Sequence, residues 1–235
     1  MARTKNREPE QLALDLRPRT WGGQRKGAGR KPTPGKRSVP HRARPVHRAS
    51  YPLHVTMRTS VRGLRDQTVF ARVREAIARS SRESFRVLQF SVQDNHLHLL
   101  VEAADKHELT RGMRGLAVRA AKRINGALRR RGRVFSERYH ARALTRPRAV
   151  RNALVYILHN HRKHRASLAW LDACSSARNF DGWRPDLLFD VARVVRAGPE
   201  GHAPRTVVPA KTWLASVGWR RAGLLGLDES PLSPG

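Results

Sequence analysis

Two β-patterned runs joined by a short turn constrain this chain more than any other feature of it. Phe85-Arg-Val-Leu-Gln-Phe-Ser-Val92 and His96-Leu-His-Leu-Leu-Val-Glu102 are dominated by aliphatic and aromatic residues, and Asp94-Asn95 between them is a tight-turn dipeptide. They predict an antiparallel hairpin, so the fold must be built around a sheet. Tyr51-Pro-Leu-His-Val-Thr-Met-Arg58 is β-prone and partly alternating, which predicts a further strand over about 52–58. Residues 66–82 carry Val69, Phe70, Val73, Ala76 and Ile77 at helical spacing, with arginines on the other face. Residues 107–131 predict a long helix with Leu109, Met113, Leu116, Ala120, Ile124 and Leu128 on one stripe, ending near Gly132. Val134 to Leu144 reads as a fourth extended segment, and 147–164 as a helix opened by Pro147 near its first turn.

That order, β-α-β-β-α-β-α, implies an α+β fold: a ferredoxin-like antiparallel sheet with two helices on one face and a further helix after the last strand. Around it, residues 1–49 combine breakers with charge and show no apolar periodicity, which predicts a disordered basic arm. Its Gly29-Arg30-Lys31-Pro32 is a loose match to an AT-hook and reads as part of a polybasic tail. The core domain is expected over 50–165 and an accessory helical segment over 166–235. Within that segment we expect a turn at Asn179-Phe-Asp-Gly-Trp183, a helix at 186–196 and a small helical cap over 208–225.

Charge narrows the partner. The chain of 235 residues has 48 Lys+Arg against 18 Asp+Glu, a net charge of +30. The first 50 residues contribute +11 and the other 185 contribute +19, so the excess is not confined to one tail. A field of this sign attracts a polyanion, and nucleic acid is the natural one. A single cysteine, Cys174, excludes an intramolecular disulfide framework and a Cys-rich zinc site. No apolar run approaches the length of a transmembrane helix and no secretory leader is visible, so the expected location is the cytoplasm, in association with the nucleoid.

Side chains two apart on a strand share a face, so His96 and His98 project together while Leu97, Leu99 and Val101 point to the helix-covered side. Two imidazoles on an open sheet face are a ready pair of ligands for a divalent metal, although two ordinary surface histidines would have the same spacing. Tyr156 and Asn160 are four apart on the 147–164 helix and share one of its faces. A phenol there could attack a phosphate and an amide oxygen could join a metal shell, although a helical tyrosine is equally suited to packing. Tyr139, in Ser136-Glu-Arg-Tyr-His140, is the rival nucleophile. His159, His161 and His164 read as a basic helix end favoured by the helix dipole, with phosphate contact as the alternative.

The run Ser91-Val-Gln-Asp-Asn-His-Leu-His-Leu-Leu-Val101 resembles the His-hydrophobe-His motif of the HUH single-strand nucleases. Arg133-Val134-Phe135-x-x-Arg138-Tyr139-His140, followed by Tyr156-Ile157-x-x-Asn160, resembles the downstream half of one branch, the REP-associated tyrosine transposases. His54-Val55-Thr56-x-Arg58 is similar to that branch's first strand. The resemblance covers about 50–165. It implies a single-tyrosine DNA transposase in which His96, His98 and Asn160 hold Mg²⁺ or Mn²⁺. It further implies that Tyr156 attacks a single-stranded phosphodiester to give a 5′-phosphotyrosine, on short REP-like hairpin DNA with flanking single strand. Relatives commonly read Asn-Pro where this chain reads Asn160-His161, and they act as monomers or as homodimers. The basic residues of the 107–131 region, Arg111, Arg114, Arg119, Lys122, Arg123, Arg129, Arg130 and Arg131, are expected to follow hairpin phosphates. The alternative is a non-catalytic or domesticated module that binds single-stranded DNA or RNA on the same fold.

Overall fold

The computed structural model describes residues 47–164, 171–184 and 206–231. The basic arm up to residue 46 and the expected helix at 186–196 lie outside the described residues. Four strands form the sheet: β1 (Leu53–Arg58), β2 (Phe85–Val92), β3 (His96–Ala103) and β4 (His140–Ala143). Their order is β2-β3-β1-β4, with every neighbour antiparallel, which is the ferredoxin-like arrangement. The expected extended segment over Val134–Leu144 contributes only β4, because the residues before His140 form a loop.

One face of the sheet is covered by α1 (Gln67–Ala78) and α2 (Lys106–Ala127). Asp66 caps α1 by accepting from the Thr68 and Val69 backbone N–H groups, and Asp105 caps α2 through the Glu108 N–H. The apolar stripes of both helices meet Val55, Met57, Val87, Phe90, Leu97, Leu99 and Val101 in a first core. Gly112 permits the approach of α2 to β2: a Cβ there would lie 2.2 Å from the Phe85 ring. The end of α2 differs from expectation. The helix stops at Ala127, Leu128 is 37% exposed, and Arg129 and Gly132 take positive φ in the exit loop.

A bulge shifts the β2–β3 register between Val87 and Gln89. Strict alternation would put Val87 and Phe90 on opposite faces; the bulge brings both to the first core and sends Leu88 to the other side. That other side is not open. It carries α3 (Pro147–His159), which packs Leu154, Ile157 and Leu158 with Leu88 and Leu100. Residues 171–184 and 206–231 close over α3 with Phe180, Trp183, Trp219 and Leu225, completing a second core. A short helix, α4 (His161–His164), follows after Asn160.

Polar ties hold these late segments against the sheet side. Buried Glu102 on β3 accepts from the Lys211 and Thr212 backbone N–H groups and from the Thr212 hydroxyl. Arg65 grips Asp172 in a two-pronged pair at 3.0 and 2.6 Å. Residues 174–176 bond the outer edge of β2, with the Val92 N–H donating to the Cys174 carbonyl and the Ser176 N–H to the Phe90 carbonyl. That edge is thereby covered rather than left as a template for another strand.

Candidate nucleic-acid active site

The site lies between the sheet and α3. The register sets Thr56 opposite His98 and Arg58 opposite His96, so the polar residues of β1 share a face with the two histidines of β3. β4 adds His140 opposite Thr56 and Arg142 opposite His54. His96 and His98 stand side by side, ring centroids 4.8 Å apart. The expectation of an open face is corrected here: α3 covers His98, which is only 4% exposed.

Tyr156 on α3 meets this face directly. Its ring centroid lies 5.0 Å from that of His98, edge to face, and 5.5 Å from that of His54. Partial burial raises the phenol above its ordinary pKa, so it stays protonated at neutral pH. Tyr139 is on the other side of the sheet, packed against the first core. Of the two candidate tyrosines, only Tyr156 therefore adjoins the histidines.

Each motif histidine has a neighbour at Nδ1. His98 Nδ1 lies 3.1 Å from Thr56 Oγ1 and 3.3 Å from His54 Nε2, and His96 Nδ1 lies 2.9 Å from Asn95 Oδ1. A proton on Nδ1 would satisfy these oxygens and leave Nε2 as the coordinating nitrogen of both rings. Burial, then the charges of His140 and Arg142, lowers the His54 pKa to about 4, so this ring is neutral. His54 and Thr56 entered the sequence reading only through the resemblance of the first strand and were given no role in the site. Their signal was the alternation of His54, Thr56 and Arg58 with the apolar Leu53, Val55 and Met57.

Asn160 ends α3 and is fully buried, yet among the described residues neither its Oδ1 nor its Nδ2 has a hydrogen-bond partner. An orphaned buried amide costs about 1–3 kcal/mol for each group left unpaired, which marks it as a side chain shaped for something else. Its spacing from Tyr156 places it on that residue's helix face. By their side-chain chemistry alone, His96, His98 and Asn160 would offer a divalent cation two imidazoles and an amide oxygen. Among the described residues no group of three or more His, Cys, Asp or Glu is placed to hold a metal ion.

His159 and His161 are not part of a solvated basic helix end, and the His164 side chain lies outside the described residues. His159 is fully buried against Trp183, ring centroids 5.4 Å apart, and His161 is 2% exposed. Burial, then the charges of Arg162 and His161, lowers the His159 pKa to about 4. The basic residues of α2 lie on the layer behind the sheet, away from Tyr156. Arg123 is paired with Glu75 at 3.0 Å and Arg111 with Glu108 at 3.4 Å, and Arg119 reaches Ser80 Oγ at 3.5 Å. Arg114 and Lys122 are exposed on the helix. Arg129, Arg130 and Arg131 crowd the exit loop with Lys122 around an open basic hollow.

Among known proteins, no curated sequence matches the chain. A solved structure of a REP-associated tyrosine transposase bound to a REP hairpin is similar at 17% identity and a TM-score of 0.47, covering 72% of this chain and 94% of that one. No helix among the described residues is long and apolar enough to cross a membrane. Residues 46–160, which span the sheet, both motif histidines, Tyr156 and Asn160, match the model of the IS200-like transposases, so this stretch of the chain is similar to that family.

Proposed function

We propose that this chain is a transposase that cleaves and rejoins single-stranded DNA through a covalent tyrosine intermediate, on hairpin substrates of the REP kind. The observation that carries the reading is the placement of the Tyr156 ring 5.0 Å from His98, on the sheet face that also bears His96. His96 and His98, through Nε2, and Asn160, through Oδ1, would hold the Mg²⁺ or Mn²⁺ ion. When bound, the cation would neutralise the non-bridging oxygens of the scissile phosphate as a Lewis acid.

The chain's own residues do the rest. Tyr156 Oη attacks phosphorus as the P–O3′ bond breaks. The phenol's proton is lost to solvent, and the departing 3′ oxygen takes up a proton to become a 3′-OH. The 5′ side stays on the enzyme as a phosphotyrosine, which keeps the phosphodiester energy for rejoining without a nucleotide cofactor. α3 holds the phenol against the sheet, so the attack becomes an oriented, intramolecular event once DNA is bound. Burial raises the phenol pKa, so Tyr156 meets the substrate in its protonated form.

The rival reading, a binding module without chemistry, predicts stacking aromatics on the central strands. The site face of β1 and β3 instead presents His54, Thr56, Arg58, His96 and His98. The test is incubation of the full chain with end-labelled single-stranded hairpin oligonucleotides and Mn²⁺, followed by a denaturing gel. A covalent protein–DNA band is expected, lost with EDTA, His98→Ala or Tyr156→Phe and retained with Tyr139→Phe. Hairpin binding with no band across several substrates would support the rival.

A further inference from the structure

A cavity of about 280 Å³ opens on the α3 side of the sheet, between β2 and the late segments of the chain. Leu88, Leu100 and Leu154 form its floor, and Phe180 and Trp219 wall it, their rings 5.5 Å apart and tilted by 32°. Its rim is polar. Gln89 lines it, its Oε1 accepting from Ser176 Oγ at 2.6 Å and its Nε2 remaining a donor. Asn179 adds an exposed amide. Arg220 lies over the Trp219 ring at 4.9 Å and pairs with Asp181 at 3.1 Å at the mouth.

Size and chemistry select the occupant. The volume falls just below the range of roughly 300–1,000 Å³ that takes drug-sized ligands, so it suits one flat ring system and little more. Apolar walls with amides at the rim complement a nucleobase, which has two apolar faces and a hydrogen-bonding edge. A guanidinium at the mouth complements the phosphate that follows a base into such a pocket. Place agrees with chemistry. Leu100 is two residues along β3 from His98 on the same face, about 7 Å away by strand geometry.

We propose that this cavity receives one unstacked base of the DNA strand, a few nucleotides from the phosphate that Tyr156 attacks. Base selection at that position would then come from the late segments of the chain working with the sheet, not from the metal site. The inference rests on the strand-transfer reading for its substrate, but its test does not require cleavage.

Full-length Tyr156→Phe protein in EDTA is titrated by fluorescence anisotropy with a series of hairpin oligonucleotides, each carrying one abasic site in the flanking single strand. One position is expected to weaken binding about 10-fold, the scale of a lost base–aromatic contact. That penalty is expected to vanish in Ala210→Phe, which fills the cavity from its partly exposed wall, and to shrink in Asn179→Ala, an exposed rim substitution that leaves the cores alone. A flat abasic profile, or a profile unchanged in both variants, would overturn the proposal. Covalent adduct formation by the wild-type chain with Mn²⁺ is scored separately, so a failed pocket and a failed strand-transfer reading give different results.

Discussion

Arg151 ties the nucleophile's helix to the end of the chain, and its removal should cost more than an ordinary surface arginine. Its Nη1 and Nη2 meet the Glu229 carboxylate at 2.9 and 2.6 Å, while its Nε and Nη2 donate to the Gly223 and Leu224 carbonyls at 2.8 and 3.0 Å. The pair is partly shielded, at 18% and 24% side-chain exposure. Hydrogen bonds to charged groups are worth about 1.5–3 kcal/mol, and solvent screening at this exposure trims the ion pair to about 1–2 kcal/mol. Adding the two carbonyl contacts, Arg151→Ala should destabilise by about 2–3 kcal/mol, a fall of roughly 4–12 °C in Tm for a chain of this size. Glu229→Ala should cost about 1–2 kcal/mol, because the carboxylate also accepts from the Gly226 N–H. Urea unfolding of the two single variants and the double variant closes a thermodynamic cycle. We expect a coupling of about 1–2 kcal/mol. Additivity within about 0.5 kcal/mol would refute the clamp, and so would adduct formation that survives Arg151→Ala undiminished under conditions where the variant is folded.

Two further outcomes follow from the histidine face. Thr56→Val keeps the shape of β1 but removes the oxygen beside His98 Nδ1, so Mn²⁺ affinity measured calorimetrically on the apo chain should fall about 10-fold, the low end for a lost outer partner since His54 remains; unchanged affinity would disconnect Thr56 from the metal. His54 and His159 titrate near 4 in the folded chain and near 6.5 when unfolded. The unfolded state therefore binds more protons between those values, and stability is full above about 6.5 and lost as the pH falls toward 4. Between pH 6.5 and 5 each should forfeit about 2 kcal/mol, read in urea midpoints with EDTA present. His159→Gln should remove about half of that pH dependence, and an unaltered slope would show that His159 is not the group concerned.

How far the sequence reveals this molecule depends on the range of the signal. The strand edges at Phe85, Val92 and His96 are local, set by alternation and by the Asp94-Asn95 turn, and the structure keeps them. The pairing of His96 with His98 follows from the same period of two. The β2 bulge leaves no such mark, because Val87 and Leu88 are both apolar and the pattern there fits either parity. The loss of helix at Leu128 is also hidden, since its apolar side chain continues the stripe until the chain turns away at Arg129. The charge state of His159 could not be read locally at all. A helix end favours a protonated imidazole, and only burial under Trp183 reverses that preference.

The cover over α3 was nonetheless implicit in its composition. Val150, Ala153, Leu154, Val155, Ile157 and Leu158 are all buried and together occupy far more of the helix circumference than one sheet can shield. A helix of that kind needs a second apolar partner, and the tryptophans and leucines beyond residue 171 supply it. The same requirement fixes Tyr156. With apolar neighbours taken by the sheet on one side and by Trp219 and Leu225 on the other, the rotation of α3 is determined from two directions, and the phenol can face only the His54–His98 side. A tyrosine on a helix packed from one side could swing by tens of degrees. Packing from both sides gives the nucleophile the fixed approach that in-line attack requires.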